Sequence, residues 1–170
     1  MEDDDDAKTI PVQYAENWLE TLAKGQYAMD LLGSLHKGGQ KASEIEAQAL
    51  QNLYSIRVRR GLIHCNFIVP ESLSDRDGSW RVGAIATLID IVGACAVHTS
   101  FGKLYVTIDL NVSYFSTAKI QKWRLRQKYL GHKGNLSSVM VVIRKKGNGD
   151  LVAIGKQWMS AFDINPKGRI

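Results

Sequence analysis

Cysteine is scarce: of 170 residues only Cys65 and Cys95 are cysteines, each inside an apolar run and neither in a Cys-x-x-Cys or Cys/His ligand spacing. That argues against a disulfide framework and against zinc, and leaves two buried thiols as the expectation. The histidines, His36, His64, His98 and His132, are scattered without metal spacing, so no metal site is expected. His98, closing an apolar stretch, is expected to meet a helix C-terminus rather than a substrate. There is no Ser/His/Asp arrangement, no Walker loop and no dinucleotide fingerprint, which argues against a serine hydrolase, a P-loop enzyme and an NAD enzyme. No apolar run approaches the roughly 20 residues that span a bilayer. The acidic start Glu2-Asp3-Asp4-Asp5-Asp6 is the opposite of a signal or transit peptide. The closing Gly168-Arg169-Ile170 is no Ser-Lys-Leu-type address. A soluble, cytoplasmic protein is expected.

What is present suits one domain: the chain is 45% hydrophobic, enough for a genuine core at this length. The formal net charge is +5, from 22 Lys and Arg against 17 Asp and Glu, and setting aside the five acids at positions 2 to 6 leaves 12 acids against those 22. The remainder is therefore distinctly basic. Such a charge favours a phosphate-bearing partner, either nucleic acid or a phosphorylated cofactor such as coenzyme A.

Residues 1–10 read as a charged tail. A helical period follows from Val12, with Tyr14, Trp18 and Leu22 on one stripe, Ala15 and Leu19 beside it, and Gly25 as its break. A second short helix is expected over 27–35, a glycine-marked linker after it, and a capping-box turn from Ser43 and Glu46. From Leu53 the period becomes two: Tyr54, Ile56 and Val58, a turn at Arg59-Arg60-Gly61, and a returning strand over 62–69 closed by Pro70. Residues 71–79 carry turn chemistry. The run 83–98 is almost uniformly apolar and predicts a buried central helix, too short for a membrane span. Its small residues would let strands approach closely. Strands with period two are expected over 106–115, 122–130, 137–144 and 151–162. Two strands, a buried helix and four strands describe an α+β layout, an antiparallel β-sheet wrapped around a central α-helix, with an N-terminal helical extension.

Asp90 is the sharpest single feature, because a carboxylate between Leu88, Ile89, Ile91 and Val92 has no evident structural reason, and an unpaired buried charge is costly. Three readings stand open: a catalytic base, a structural acid paired with a cation from another strand, and a solvent-facing acid. Asp90 follows Gly83 by two helical turns. A carbonyl at the helix N-terminus would be polarised by free amides, and Asp90, or a water it deprotonates, would attack from below. That is acyl-transfer chemistry without a serine or cysteine nucleophile. The 106–115 strand carries Thr107, Asp109, Asn111 and Ser113 on one face and apolar residues on the other. This reads as a site wall or as a plain half-exposed strand. Lys122, Arg124, Arg126 and Lys128 alternate with Trp123, Leu125 and Tyr129. That basic face is simply solvated, or binds the phosphates of coenzyme A or of nucleic acid. The turn Gly131-His132-Lys133-Gly134-Asn135 would add amides and a lysine suited to phosphate.

The segments Gly83-Ala84-Ile85-Ala86-Thr87-Leu88-Ile89-Asp90 and Thr107-Ile108-Asp109-Leu110-Asn111-Val112-Ser113-Tyr114-Phe115-Ser116-Thr117-Ala118-Lys119 resemble the thioesterase superfamily member 2 branch of the hotdog-fold acyl-CoA thioesterases. The resemblance runs over about 50–162 and leaves the first 45 residues outside. It implies a hotdog domain over 46–163, between a tail-and-helix extension at 1–45 and a C-terminal tail at 164–170. It implies hydrolysis of acyl-CoA to free acid and coenzyme A in lipid metabolism, by a homodimer or homotetramer with active sites at subunit interfaces. Coenzyme A would be part of the substrate, and no separate cofactor, metal or nucleic acid is implied.

Asp90 falls on the family's catalytic acid, and Thr107 on a serine that places the attacking water from the neighbouring subunit. Tyr114, Phe115, Ser116, Thr117, Ala118 and Lys119, together with the turn through His132, Lys133, Gly134 and Asn135, fall where the family holds coenzyme A. Where the family reads His-Gly-Gly at the helix start, this chain has Arg81-Val82-Gly83, which makes the Val82 amide, with Gly83, the oxyanion donor. The preceding loop offers Asp75, Asp77 and Ser79 but lacks the family's asparagine. Those departures motivate a second reading, a hotdog protein that binds acyl-CoA without turning it over.

Overall fold

The computed structural model describes residues 10–23, 48–119 and 122–162. The expected helix at 27–35 and the Ser43/Glu46 turn lie outside them. So do the acidic start and the last eight residues.

Helix α1 (Ile10–Ala23) buries Val12, Ala15 and Leu19, whereas Tyr14 is 36% exposed. The buried stripe is thus rotated from the expected Tyr14–Trp18 line, and Trp18 is only partly buried at its margin. The reason is its location. α1 packs across β1 and the central helix, and the side chains it buries in the core are Val12, Ala15 and Leu19. Residues 48–50 are helical, with Ala49 and Leu50 buried.

Strands β1 (Leu53–Arg59) and β2 (Leu62–Ile68) form the expected hairpin. Gly61 takes the left-handed conformation at its turn, and its amide donates to Thr99 Oγ1 (2.9 Å). After a single 3-10 turn comes α2 (Val82–Phe101), then β3 (Leu104–Tyr114), β4 (Lys122–Lys133), β5 (Leu136–Lys145) and β6 (Leu151–Phe162). The six strands form one antiparallel sheet in the order β1-β2-β4-β5-β6-β3. Hairpins join β4 to β5 and β5 to β6, and the crossover that carries α2 sends β3 to the far edge.

α2 is longer than the 83–98 run. Its 20 residues make it, among the described residues, the one helix long and apolar enough to cross a membrane. Ten of them, from Ile85 to Thr99, are instead buried in the fold. The close approach expected of its small residues is real. A Cβ on Gly93 would collide with the Gln157 carboxamide, and one on Gly155 of β6 with Ile89 Cγ2. Facing α2, β4 buries Trp123, Leu125 and Gln127 and points its cations outward. Phe67 stacks on Trp80 at 4.8 Å between ring centres, joining the sheet to the loop before α2. Both cysteines are buried and neither is in a disulfide, and burial pushes the Cys65 thiol up to about 12.

Two details differ from the expectation. Strand β4 continues through Gly131, His132 and Lys133, so the turn is only Gly134-Asn135, with Gly134 at φ 61°. The β3–β6 register also shifts between Thr107 and Asp109, so the alternation expected along β3 is broken there.

Candidate active site

α2 starts without a side-chain cap. Arg81 holds the N-cap position in extended backbone, and its Nε donates instead to Ser74 O (2.9 Å). The first intrahelical acceptor is Arg81 O, taken by the Ile85 amide at 3.1 Å, so the earlier amides point out of the helix. Around them the structure is open: Val82 is 61% exposed and a Cβ on Gly83 would meet nothing. Aligned peptide dipoles make this end partially positive, suited to a carbonyl oxygen that is gaining charge. Tyr114 Oη donates to Val82 O at 3.0 Å, and burial raises the Tyr114 phenol. In the preceding loop, Asp75 Oδ1 accepts from the Asp77 and Ser79 amides (3.0 and 2.8 Å), so that oxygen is committed to shaping the turn.

Asp90 lies half-buried on the side of α2 that meets β3 and β6. Its partners are neutral donors rather than a cation from another strand. Thr107 Oγ1 donates to Asp90 Oδ1 at 2.7 Å, and Gln157 Nε2 donates to the same oxygen. Gln157 Nε2 also lies 2.7 Å from Thr107 Oγ1 and 3.3 Å from Asp90 O. Both carboxylate contacts fall on Oδ1. They fix the plane of the carboxylate and leave Oδ2 outside the cluster, free to take a proton from a water placed there.

Thr107 reaches Asp90 because of the slipped register. Above the slip Thr107 faces the helix; below it Leu110 and Val112 do, packing on the core. Asp109, Asn111 and Ser113 are thereby separated from Thr107 and stay exposed, so the single polar face expected over 107–113 does not exist. Irregularities of this kind re-aim a side chain at a site. The contact is also made within one chain, whereas the resemblance placed this hydroxyl on the neighbouring subunit.

Gln157 is the site residue that the sequence reading missed. Its signal is a polar side chain in phase with Ala153, Gly155 and Met159 on the buried face of β6. Its Oε1 is buried without a hydrogen-bond partner among the described residues and crowds Gly93.

Within one chain the remaining expected residues fall into two separate groups. Tyr114 is tied to the first residue of α2; Ala118, whose carbonyl accepts from the Trp80 amide at 2.6 Å, is buried nearby, and Lys119 bridges to Ser79. Phe115 is 56% exposed, and Ser116 Oγ donates to Leu151 O (3.2 Å). His132 sits at the other end of the helix, its ring 5.0 Å from that of Phe101 and its Nδ1 2.8 Å from Tyr129 Oη. With Arg60, Lys128 and Tyr129 it lines a cleft of about 450 Å³. Lys133, Gly134 and Asn135 are exposed just beyond. The ends of a 20-residue helix are about 30 Å apart, so one chain does not bring the two segments together. His98 behaves as expected, its Nδ1 3.0 Å from Lys103 O just past the helix end.

No family model and no curated protein matches the sequence. Solved structures do match it in fold. Thioesterase superfamily member 2 from zebrafish superposes with a TM-score of 0.70 at 21% identity, over 91% of this chain and 100% of that one. The mouse protein gives 0.67 at 18% identity, over 91% and 99%. A hypothetical thioesterase with coenzyme A from Streptococcus pneumoniae gives 0.60 at 20% identity, over 65% and 86%. In architecture, a helix wrapped by an antiparallel sheet with a further helix before it, this chain has the hotdog fold.

Proposed function

We propose that the protein is an acyl-CoA thioesterase in which Asp90 is the general base or nucleophile. The observation that carries this reading is the Asp90–Thr107–Gln157 cluster, a carboxylate set into an apolar helix and oriented by two neutral donors through one oxygen. The likeness in fold to thioesterases, one of them solved with coenzyme A, supports the substrate class.

The site would be completed by a second copy. Gly83 and Asp90 are seven residues apart, about 10 Å along the axis, too far for one carbonyl to meet both the Gly83 amide and an oxygen delivered by Asp90. Among the described residues no strand pairs with the outer edge of β3, which runs over 11 residues and exposes Val106 (44%) and Ile108 (56%), a pattern that edge-to-edge pairing covers. Pairing across a two-fold axis would set the Val82 and Gly83 amides of one copy toward Asp90 of the other. It would also let the Tyr114–Lys119 segment of one copy and the His132–Asn135 turn of the other hold coenzyme A. A dimer, or a tetramer of two such dimers, is therefore the working unit. Asp90 Oδ2 takes a proton from a water whose oxygen attacks the thioester carbon, and the Val82 and Gly83 amides donate to the oxyanion that forms. As the carbonyl re-forms, the C–S bond breaks and the coenzyme A thiolate leaves, taking the proton from Asp90.

The second reading is binding without turnover, and the observation behind it is Val82 at the oxyanion position, beside a loop whose Asp75 is engaged with its own turn. Release of free thiol across a panel of acyl-CoA chain lengths and aromatic acyl groups separates the two. Thiol release on any member supports hydrolysis; tight binding without release anywhere on the panel leaves the binding protein.

A further inference from the structure

On the sheet face opposite α2, strands β1, β2, β4 and β5 place Arg57, His64, Asn66, Arg124, Arg126 and Arg144 around a cleft of about 640 Å³. We propose that this cleft binds a small ligand carrying two or more phosphate groups, at a site separate from the thioesterase centre.

The cations are placed by register. Arg57 pairs with His64, and His64 with Arg126, in one cross-strand row; Asn66, Arg124 and Arg144 form the next. Arg124 and Arg144 are thus directly opposite each other, an arrangement in which like charges repel and cost stability. No aspartate or glutamate is among the described residues lining the cleft to offset them. A bound polyanion removes that repulsion. His64 contributes as a neutral group. Arg126 Nε donates to its Nε2 at 3.0 Å, which leaves Nδ1–H as a further donor. Burial and the surrounding Arg126, Arg57, Arg59 and Arg124 hold the imidazole below its ordinary range.

The chemistry selects phosphate on a small molecule. Guanidinium groups engage phosphate oxygens in paired, planar contacts, and here they stand on strands rather than loops, so their spacing is set by the sheet. Adjacent strands lie about 4.8 Å apart and same-face rows about 7 Å apart, which matches neighbouring phosphates on one ligand. The described residues lining the cleft include no Phe, Tyr or Trp, so they offer none of the stacking platform on which single-stranded nucleic acid relies. A second copy of the chain would bring the same positive surface across a two-fold axis and be repelled.

Calorimetric titration of the full chain with inorganic tripolyphosphate, in about 0.15 M salt to screen diffuse attraction, tests the proposal. Saturable binding at one site per chain is expected, weakened at least about tenfold by Arg124→Gln with Arg144→Gln, since each lost guanidinium removes charge-assisted hydrogen bonds. The control Lys103→Gln with Lys156→Gln removes the same charge outside the cleft and leaves the affinity within a factor of about two. The ligand-free arginine double variant melts no lower than wild type, so weaker binding is not unfolding. Absence of saturable binding, equal weakening by the lysine control, or arginine-dependent preference for a single-stranded oligonucleotide over tripolyphosphate overturns it.

Discussion

Thr107 Oγ1 donates to Asp90 Oδ1 across 2.7 Å, and it does so because the pairing of β3 with β6 slips between Thr107 and Asp109. A threonine on an exposed edge strand thereby becomes the side chain that orients a carboxylate on the central helix.

If that hydroxyl orients the base, its loss slows chemistry more than it weakens binding. Thr107→Ala is expected to lower kcat for thiol release by about ten- to a hundredfold with KM changed much less, and Thr107→Ser to restore most of it. Steady-state kinetics on the best acyl-CoA of the panel checks this. A change confined to KM would place Thr107 in binding only.

The helix-on-sheet contact that carries Asp90 depends on Gly155. A methyl there collides with Ile89 Cγ2, and Ile89, next to Asp90, is fully buried. Gly155→Ala is expected to destabilise the fold by about 1–3 kcal/mol through overpacking, read as a lower melting temperature and an earlier denaturant midpoint.

His64 ties stability to pH. Its folded pKa lies below the ordinary value of 6.5, by burial first and by the neighbouring arginines second. The unfolded chain therefore binds a proton in a range where the folded chain does not, and stability falls as pH drops below about 6.5. The melting temperature should decline less between about pH 7 and pH 5 in His64→Gln than in wild type. Equal slopes would remove His64 as the cause.

Exposed Ile108 stands where β3 would meet a second copy. Ile108→Lys is expected to shift the protein toward monomer in sedimentation velocity and to lower thiol release in parallel, because a charge on a pairing edge opposes association. Monomeric protein with full activity would contradict a site shared between copies.

Much of this was legible in the sequence because local pattern suffices for it. The 53–68 hairpin declares itself by alternation around Gly61, α2 by an apolar run that also isolates Asp90, and β6 by its period. What escaped depends on partners distant in the chain. The slip at Ile108 is set by the register against β6, and nothing in residues 104–114 announces it. Gln157 looks like one polar residue in an alternating strand until β6 lies on Gly93. The buried stripe of α1 follows from what it crosses. The separation of Tyr114 from His132 follows from α2 lying between them. Residues 131–133 carry turn chemistry, yet their pairing with β5 keeps them in the strand.

The proposed chemistry rests on Asp90, and Asp90→Asn tests it most directly, because the amide keeps the shape and can still accept from Thr107 but cannot take a proton from water. Measured with acyl-CoA binding on the same preparation, the variant is expected to bind acyl-CoA within a few-fold of wild type while its thiol release falls at least about a hundredfold. Turnover equal to wild type in Asp90→Asn would contradict the account.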